Sequence, residues 1–176
     1  NDSSGLRNCK TVGSADVSID YGDTGDAPLV GDWDGNGTFT LGVYRPSDRT
    51  FYLRNSNTFG IADLVITYGN SGDVPIVGDW DGNGTTTIGV YRPTEKNFYL
   101  RNSNTLGFHD ILVTYGDLGD TPIVGDWDGS CTDTIGVRRG VTFFLRNANT
   151  PGSADISVPY GDASDKPIVG DWDGLH

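Results

Sequence analysis

The sequence predicts an all-β fold, a β-propeller of four-stranded blades, on three observations. A repeat of 45–47 residues runs through the whole chain, apolar residues alternate with period two inside it, and turn residues separate the alternating segments. Gly-Asp-Trp-Asp-Gly begins at Gly31, Gly78, Gly125 and Gly170, at intervals of 47, 47 and 45 residues. Tyr21, Tyr68, Tyr115 and Tyr160 keep those intervals, as do Pro28, Pro75, Pro122 and Pro167, and as does Leu-Arg-Asn from Leu6, Leu53, Leu100 and Leu145. The repeat leaves no linker, so residues 1–176 read as one repeat domain. Its parts are an N-terminal partial blade (1–25), full blades at about 26–72, 73–119 and 120–164, and a C-terminal first strand (165–176).

The segment from Pro28 to Tyr68 displays the elements in order. Leu29 and Val30 form a short apolar first strand ending in Gly31, followed by a turn rich in Asp, Gly and Asn. Leu41, Val43 and Arg45 alternate with Gly42 and Tyr44 in the second strand, and Pro46 opens a turn. Phe51 and Leu53 mark the third strand, and Asn55 to Gly60 is a polar turn. Leu64, Ile66 and Tyr68 mark the fourth strand, and Gly69 to Asp73 turn into the next repeat. The last interval is two residues shorter because Val137 to Asn147 is shorter than Val90 to Asn102; the loss falls in the turn at Arg139 and Gly140, where deletions are tolerated. Pro159, inside the last fourth strand, places that strand on a free edge. One blade cannot bury both faces, so blades must stack, with the Trp, Tyr and Phe of each repeat between them. The two chain ends together supply a fourth blade that lacks its second strand, the counterpart of Thr87 to Arg92.

Composition narrows function. The net charge of −12 repels phosphate backbones, so nucleic-acid binding is not expected. No apolar run reaches membrane-spanning length, so membrane insertion is not expected either. The chain has no Met, which reads as a processed mature protein or an excised segment. Cys9 and Cys131 are too far apart in sequence for a zinc motif, and one disulfide is the simplest reading, implying an oxidising compartment. Both lie in turns on the same propeller face, in neighbouring blades of a four-membered ring; the bond would fasten that ring and contribute about 3–5 kcal/mol. Two unpaired buried thiols are the alternative.

The turns after each first strand carry the main chemical signal. Asp32, Asp34, Asn36, Thr38 and Thr40 stand at loop positions one, three, five, seven and nine. Asp79, Asp81, Asn83, Thr85 and Thr87 do so in the second loop, and Asp126, Asp128, Ser130, Thr132 and Thr134 in the third. Oxygen ligands at that spacing, with Gly at position six, suit calcium. These strand–Asp-loop–strand units, as in Ile76 to Tyr91, resemble FG-GAP/VCBS-type repeats, which build calcium-binding propellers in integrin-like, lectin-like and bacterial extracellular proteins. The resemblance implies that the residues named in each loop hold calcium. This chain departs from it in having Asn or Ser at position five and Thr at position nine, leaving two carboxylates per loop, and in placing Cys131 where the sharp turn wants Gly. A metal-free turn braced by Asx-type hydrogen bonds is the competing reading.

Asn36-Gly37-Thr38, Asn83-Gly84-Thr85 and Asn1-Asp2-Ser3 read as glycosylation sequons, and a glycan on Asn36 competes with a ligand role there. Trp33, Trp80, Trp127 and Trp172 share one repeat position and are expected to pack rather than stack on sugars. Arg45, Arg92, Arg139, Arg54, Arg101 and Arg146 are expected to pair with carboxylates such as Asp63 and Asp110, and His109 to be a solvated turn residue. No nucleophile elbow, phosphate loop or HExxH motif is present, and the chain is too uniformly repeated for an asymmetric catalytic cluster. The resemblance implies a secreted or cell-surface, non-enzymatic recognition or adhesion module whose propeller face binds a glycan or an extracellular protein. Two alternatives stand beside it: a structural subunit that joins copies of itself by strand complementation, and an accessory domain of a secreted hydrolase.

Overall fold

The computed structural model describes the backbone of residues 3–6 and residues 14–170 in full. Among these the chain is all-β, with no helix. A two-stranded antiparallel sheet, β1 (Ser3–Leu6) with β2 (Val17–Asp20), precedes three four-stranded antiparallel sheets. The second sheet runs β3 (Ala27–Gly31), β4 (Thr40–Arg45), β5 (Thr50–Leu53), β6 (Leu64–Thr67). The third runs β7 (Val74–Gly78), β8 (Thr87–Arg92), β9 (Asn97–Leu100), β10 (Ile111–Thr114). The fourth runs β11 (Thr121–Gly125), β12 (Thr134–Arg139), β13 (Thr142–Leu145), β14 (Ile156–Pro159). Spatial order equals chain order in each, so first and fourth strands are the edges, and Pro159 sits on an edge as its missing N–H requires.

At the chain ends, the N-terminal partial blade expected at 1–25 supplies the strands Ser3–Leu6 and Val17–Asp20. Residues 165–170 form no strand, although Val169 lies against Gly125 of β11; the rest of the expected C-terminal strand falls outside the described residues.

Register explains the sequence pattern. Leu29 pairs with Gly42, and Leu53 pairs with Gly42 from the other side. A Cβ on Gly42 would meet Leu53 Cδ2 at 2.7 Å, so the missing side chain lets the leucine fill the sheet. Turns of Pro46–Arg49 and Pro93–Lys96 join the second and third strands in the second and third sheets, whereas Gly140–Val141 suffices in the fourth, which is where the two residues are lost.

The cores lie between sheets. Trp33, Tyr44, Phe51, Leu53 and Ile66 of the second sheet share one cluster with Ile88 and Val90 of the third. Trp80, Tyr91, Phe98, Leu100 and Val113 share another with Ile135 and Val137 of the fourth. First strands β3 and β7, and β7 and β11, lie side by side. Backbone latches fix that succession: Thr86 N–H donates to Asp32 O at 2.7 Å and Asp133 N–H to Asp79 O at 2.8 Å. The return bonds run from Asp32 N–H to Thr86 Oγ1 (3.0 Å) and from Asp79 N–H to Asp133 Oδ2 (2.8 Å).

Candidate functional site

Because the strands alternate in direction, the Asp loops and the loops between third and fourth strands crowd one edge of the molecule, and the remaining turns form the opposite edge. The crowded edge is bonded across. Asn57 Nδ2 donates to Phe39 O at 3.0 Å within the second sheet. Asn104 Nδ2 of the third sheet reaches back to Trp33 O (3.2 Å) and Thr86 O (2.9 Å).

Each loop between third and fourth strands folds around one arginine. Arg54 donates to Ile61 O, Ser56 Oγ and both Thr58 oxygens, and pairs with Asp63 at 3.2 Å. Arg101 repeats this with Phe108 O, Ser103, Thr105 and Asp110, and Arg146 with Ser153 O, Thr150 and Asp155. The guanidinium fork is buried and takes the place of a small core. What the loops present outward is apolar: Phe59 and Ile61 are each 87% exposed, Leu106 72% and Phe108 90%. Phe39, in the adjoining Asp loop, is exposed as well. The sequence reading passed over these side chains because it took the segments as polar turns. The available signal was a large apolar residue amid Asn, Ser and Gly, out of phase with any strand.

In the Asp loops the position-one carboxylates act as braces. Asp32 accepts Asn36 N–H (3.1 Å) and Gly37 N–H (2.7 Å); Asp79 accepts Asn83 N–H (3.0 Å) and Gly84 N–H (2.7 Å). Asp126 accepts Ser130 N–H (3.0 Å) and Cys131 N–H (2.8 Å). Burial raises the Asp126 pKa, but these backbone donors outweigh it and hold the carboxyl below its ordinary value. Cys131 does not open the turn; it adopts φ 64°, beside 85° at Gly37 and Gly84. Its thiol is exposed, while Cys9, and with it any Cys9–Cys131 pairing, lies outside the described residues, as does Asn1.

The ligand set implied for calcium is only partly assembled. Asn36 Oδ1 and Asn83 Oδ1 each accept the N–H two residues on, from Thr38 and Thr85, at 2.8 Å. The position-nine hydroxyls turn into the sheet: Thr40 Oγ1 donates to Arg54 O, Thr87 Oγ1 to Gly78 O and Thr134 Oγ1 to Arg146 O. Asp34, Asp81 and Asp128 are exposed, and the carbonyls of Thr38, Thr85 and Thr132 accept no hydrogen bond among the described residues. Among the described residues no group of three or more His, Cys, Asp or Glu side chains converges. Hydrogen bonds to the position-one carboxylates account for the shape of each turn, and Asp34, Asp81 and Asp128 add one exposed carboxylate per loop.

On the opposite edge, Arg45 forks onto Asp26 (3.0 and 2.8 Å), Arg92 onto Asp73 (2.8 and 2.9 Å) and Arg139 onto Asp120 (2.8 and 2.8 Å). The Arg45 hydrogen bonds hold Asp26 below the usual carboxylate range. Trp33 and Trp80 are buried and Trp127 half-buried; Trp172 is outside the described residues. His109 is exposed, its ring edge-on to Tyr99 at 5.3 Å. Burial pushes the Tyr21 and Tyr68 phenols up to about 12, each set beside the arginine brace of the following sheet. Comparison of the chain with known family models, curated proteins and solved structures finds no match.

Proposed function

We propose that the protein is a non-enzymatic extracellular recognition or adhesion module whose sheets are the blades of a propeller, and that its loop-bearing edge binds a glycan or a protein. The observation that carries the reading is the row of exposed apolar tips, Phe59, Ile61, Leu106 and Phe108, on loops held in shape by Arg54 and Arg101. Exposed apolar groups cost solubility unless a partner covers them, and rigid loops lose little entropy on binding. The repeated charged side chains are spent on internal pairs, which supports a binding rather than a catalytic role. The side-by-side first strands and the cores shared between consecutive sheets support the propeller arrangement. A glycan array together with a panel of extracellular matrix proteins tests the reading: selective binding supports it, and no binding on either overturns it.

One observation favours self-assembly as a second reading. Tyr68 and Tyr115 pack against the sheet that follows, but Tyr160 is 77% exposed, beside Phe143 and the exposed Ile168. A second copy offers a surface of the kind those tyrosines cover elsewhere, and the edge strands offer pairing. Light scattering that reports a monomer at all concentrations rules this out.

A further inference from the structure

We propose that Asn36 and Asn83 are each modified with an N-linked glycan, a proposal that rests on the extracellular reading only in requiring passage along a secretory route. Two groups of asparagines contrast in how their side chains are used. Asn57, Asn104 and Asn149 spend Nδ2 on backbone carbonyls and so act as structural ties. Asn36 and Asn83 do the reverse: Oδ1 accepts the N–H of Thr38 or Thr85 at 2.8 Å, and Nδ2 has no partner among the described residues. Both side chains are exposed.

The loop holds the acceptor in place. Asn36 N–H and Gly37 N–H are both bound to Asp32, and those of Asn83 and Gly84 to Asp79. The positive φ of 85° at Gly37 and Gly84 turns the chain so that the threonine N–H meets the asparagine oxygen. A Cβ built on either glycine meets nothing within 4 Å, so the space beside each acceptor is open to a bulky group.

The chemistry asks for this arrangement. The donor is a lipid-linked oligosaccharide diphosphate. The Asn Nδ2 attacks the anomeric carbon, a C–N bond forms, the C–O bond to the diphosphate breaks, and the diphosphate leaves with the electron pair. One amide proton passes to a base of the transferase. A hydrogen bond at Oδ1 draws density from the amide and favours loss of that proton. The third loop is a built-in control: the same brace is present, but Ser130 stands in place of Asn and offers no amide.

The test is peptide mapping by mass spectrometry of the protein isolated from the cells that make it, before and after peptide N-glycosidase in heavy-oxygen water. The peptides containing Asn36 and Asn83 are expected to carry sugar, and the enzyme to leave heavy-labelled Asp at both positions. In variants made by the same cells, Thr38→Ala and Thr85→Ala are expected each to lose one glycan, and Thr38→Ser and Thr85→Ser to keep it. Unmodified peptides at both positions overturn the proposal, as does glycan confined to Asn1. The binding panel run on the same preparation separates the two readings. Unmodified protein that binds overturns only the glycosylation, and glycosylated protein that binds nothing overturns only the recognition role.

Discussion

Cys131 occupies a left-handed backbone position, φ 64°, that Gly37 and Gly84 hold at the same place in their loops. A side chain there costs about 1–2 kcal/mol. Cys131→Gly is therefore expected to raise Tm by about 2–4 °C, the shift that ~1 kcal/mol makes in a chain of this size; an unchanged or lower Tm would argue that the thiol has a partner. Asp133 carries a cost of a different kind, electrostatic rather than conformational. It takes the place of Thr86 in the latch between sheets, where burial, together with the charges of Asp79 and Asp126, raises its pKa despite the Asp79 N–H it accepts. A carboxyl with a raised folded pKa favours the fold while protonated, and that contribution is lost as pH rises from the ordinary value of 3.8 through the raised one. Asp133→Thr, which copies Thr86, is expected to gain about 2–4 °C at neutral pH and nothing once the wild-type carboxyl is protonated. A gain independent of pH, followed by thermal melts from pH 3 to 8, would refute the account. Asp26 and Asp120 act with the opposite sign. Their pairing with Arg45 and Arg139 is fully present above pH 3.8 and is lost as pH falls through their lowered values. Asp32→Ala is expected to cost about 1.5–3 kcal/mol equally with and without calcium, because the loop's own N–H groups are what the carboxylate satisfies. A penalty seen only in calcium would show that the loop holds the metal.

The proposed function rests most on the arginine-braced loops. Arg101 holds Phe108 O, Ser103, Thr105 and Asp110 at once from a buried position. Lysine keeps the charge but not the fork, so Arg101→Lys leaves several of these acceptors unpaired. It is expected to speed amide hydrogen exchange in residues 102–110 at least tenfold while leaving β8 and β9 protected; unchanged exchange would mean that the loop is held by something else. The strands around these loops were readable beforehand because alternation and turn residues each repeat, so a doubtful stretch in one repeat is settled by its counterpart in the next. The loop tips were not readable. Phe59 and Phe108 look like stray apolar residues until the arginine is seen to fill the inside of the loop and turn them out. The bonding of the position-nine threonines was not readable either: the resemblance implies a ligand role for Thr40, and only the structure shows its hydroxyl donating to Arg54 O, 2.6 Å away just past β5.

At the scale of the whole molecule, the three four-stranded sheets are joined in succession by a core and a latch, and one edge gathers their longer loops. The repeat made the strands of the three four-stranded sheets, and their order, legible. Which loops share an edge follows from the antiparallel order, but the latches from Asp32 to Thr86 and from Asp79 to Asp133 join residues 54 apart, beyond anything a local pattern discloses. The central claim is that this edge recognises a partner through Phe59 and Phe108. The measurement that tests it most directly compares the wild-type chain with the Phe59→Ser, Phe108→Ser double variant on the same glycan and matrix-protein panel, with Tm measured alongside. Both side chains are almost fully exposed, so Tm is expected to stay within about 1–2 °C while affinity for whatever the wild type selects falls at least tenfold. A double variant that binds as tightly as the wild type would contradict the account.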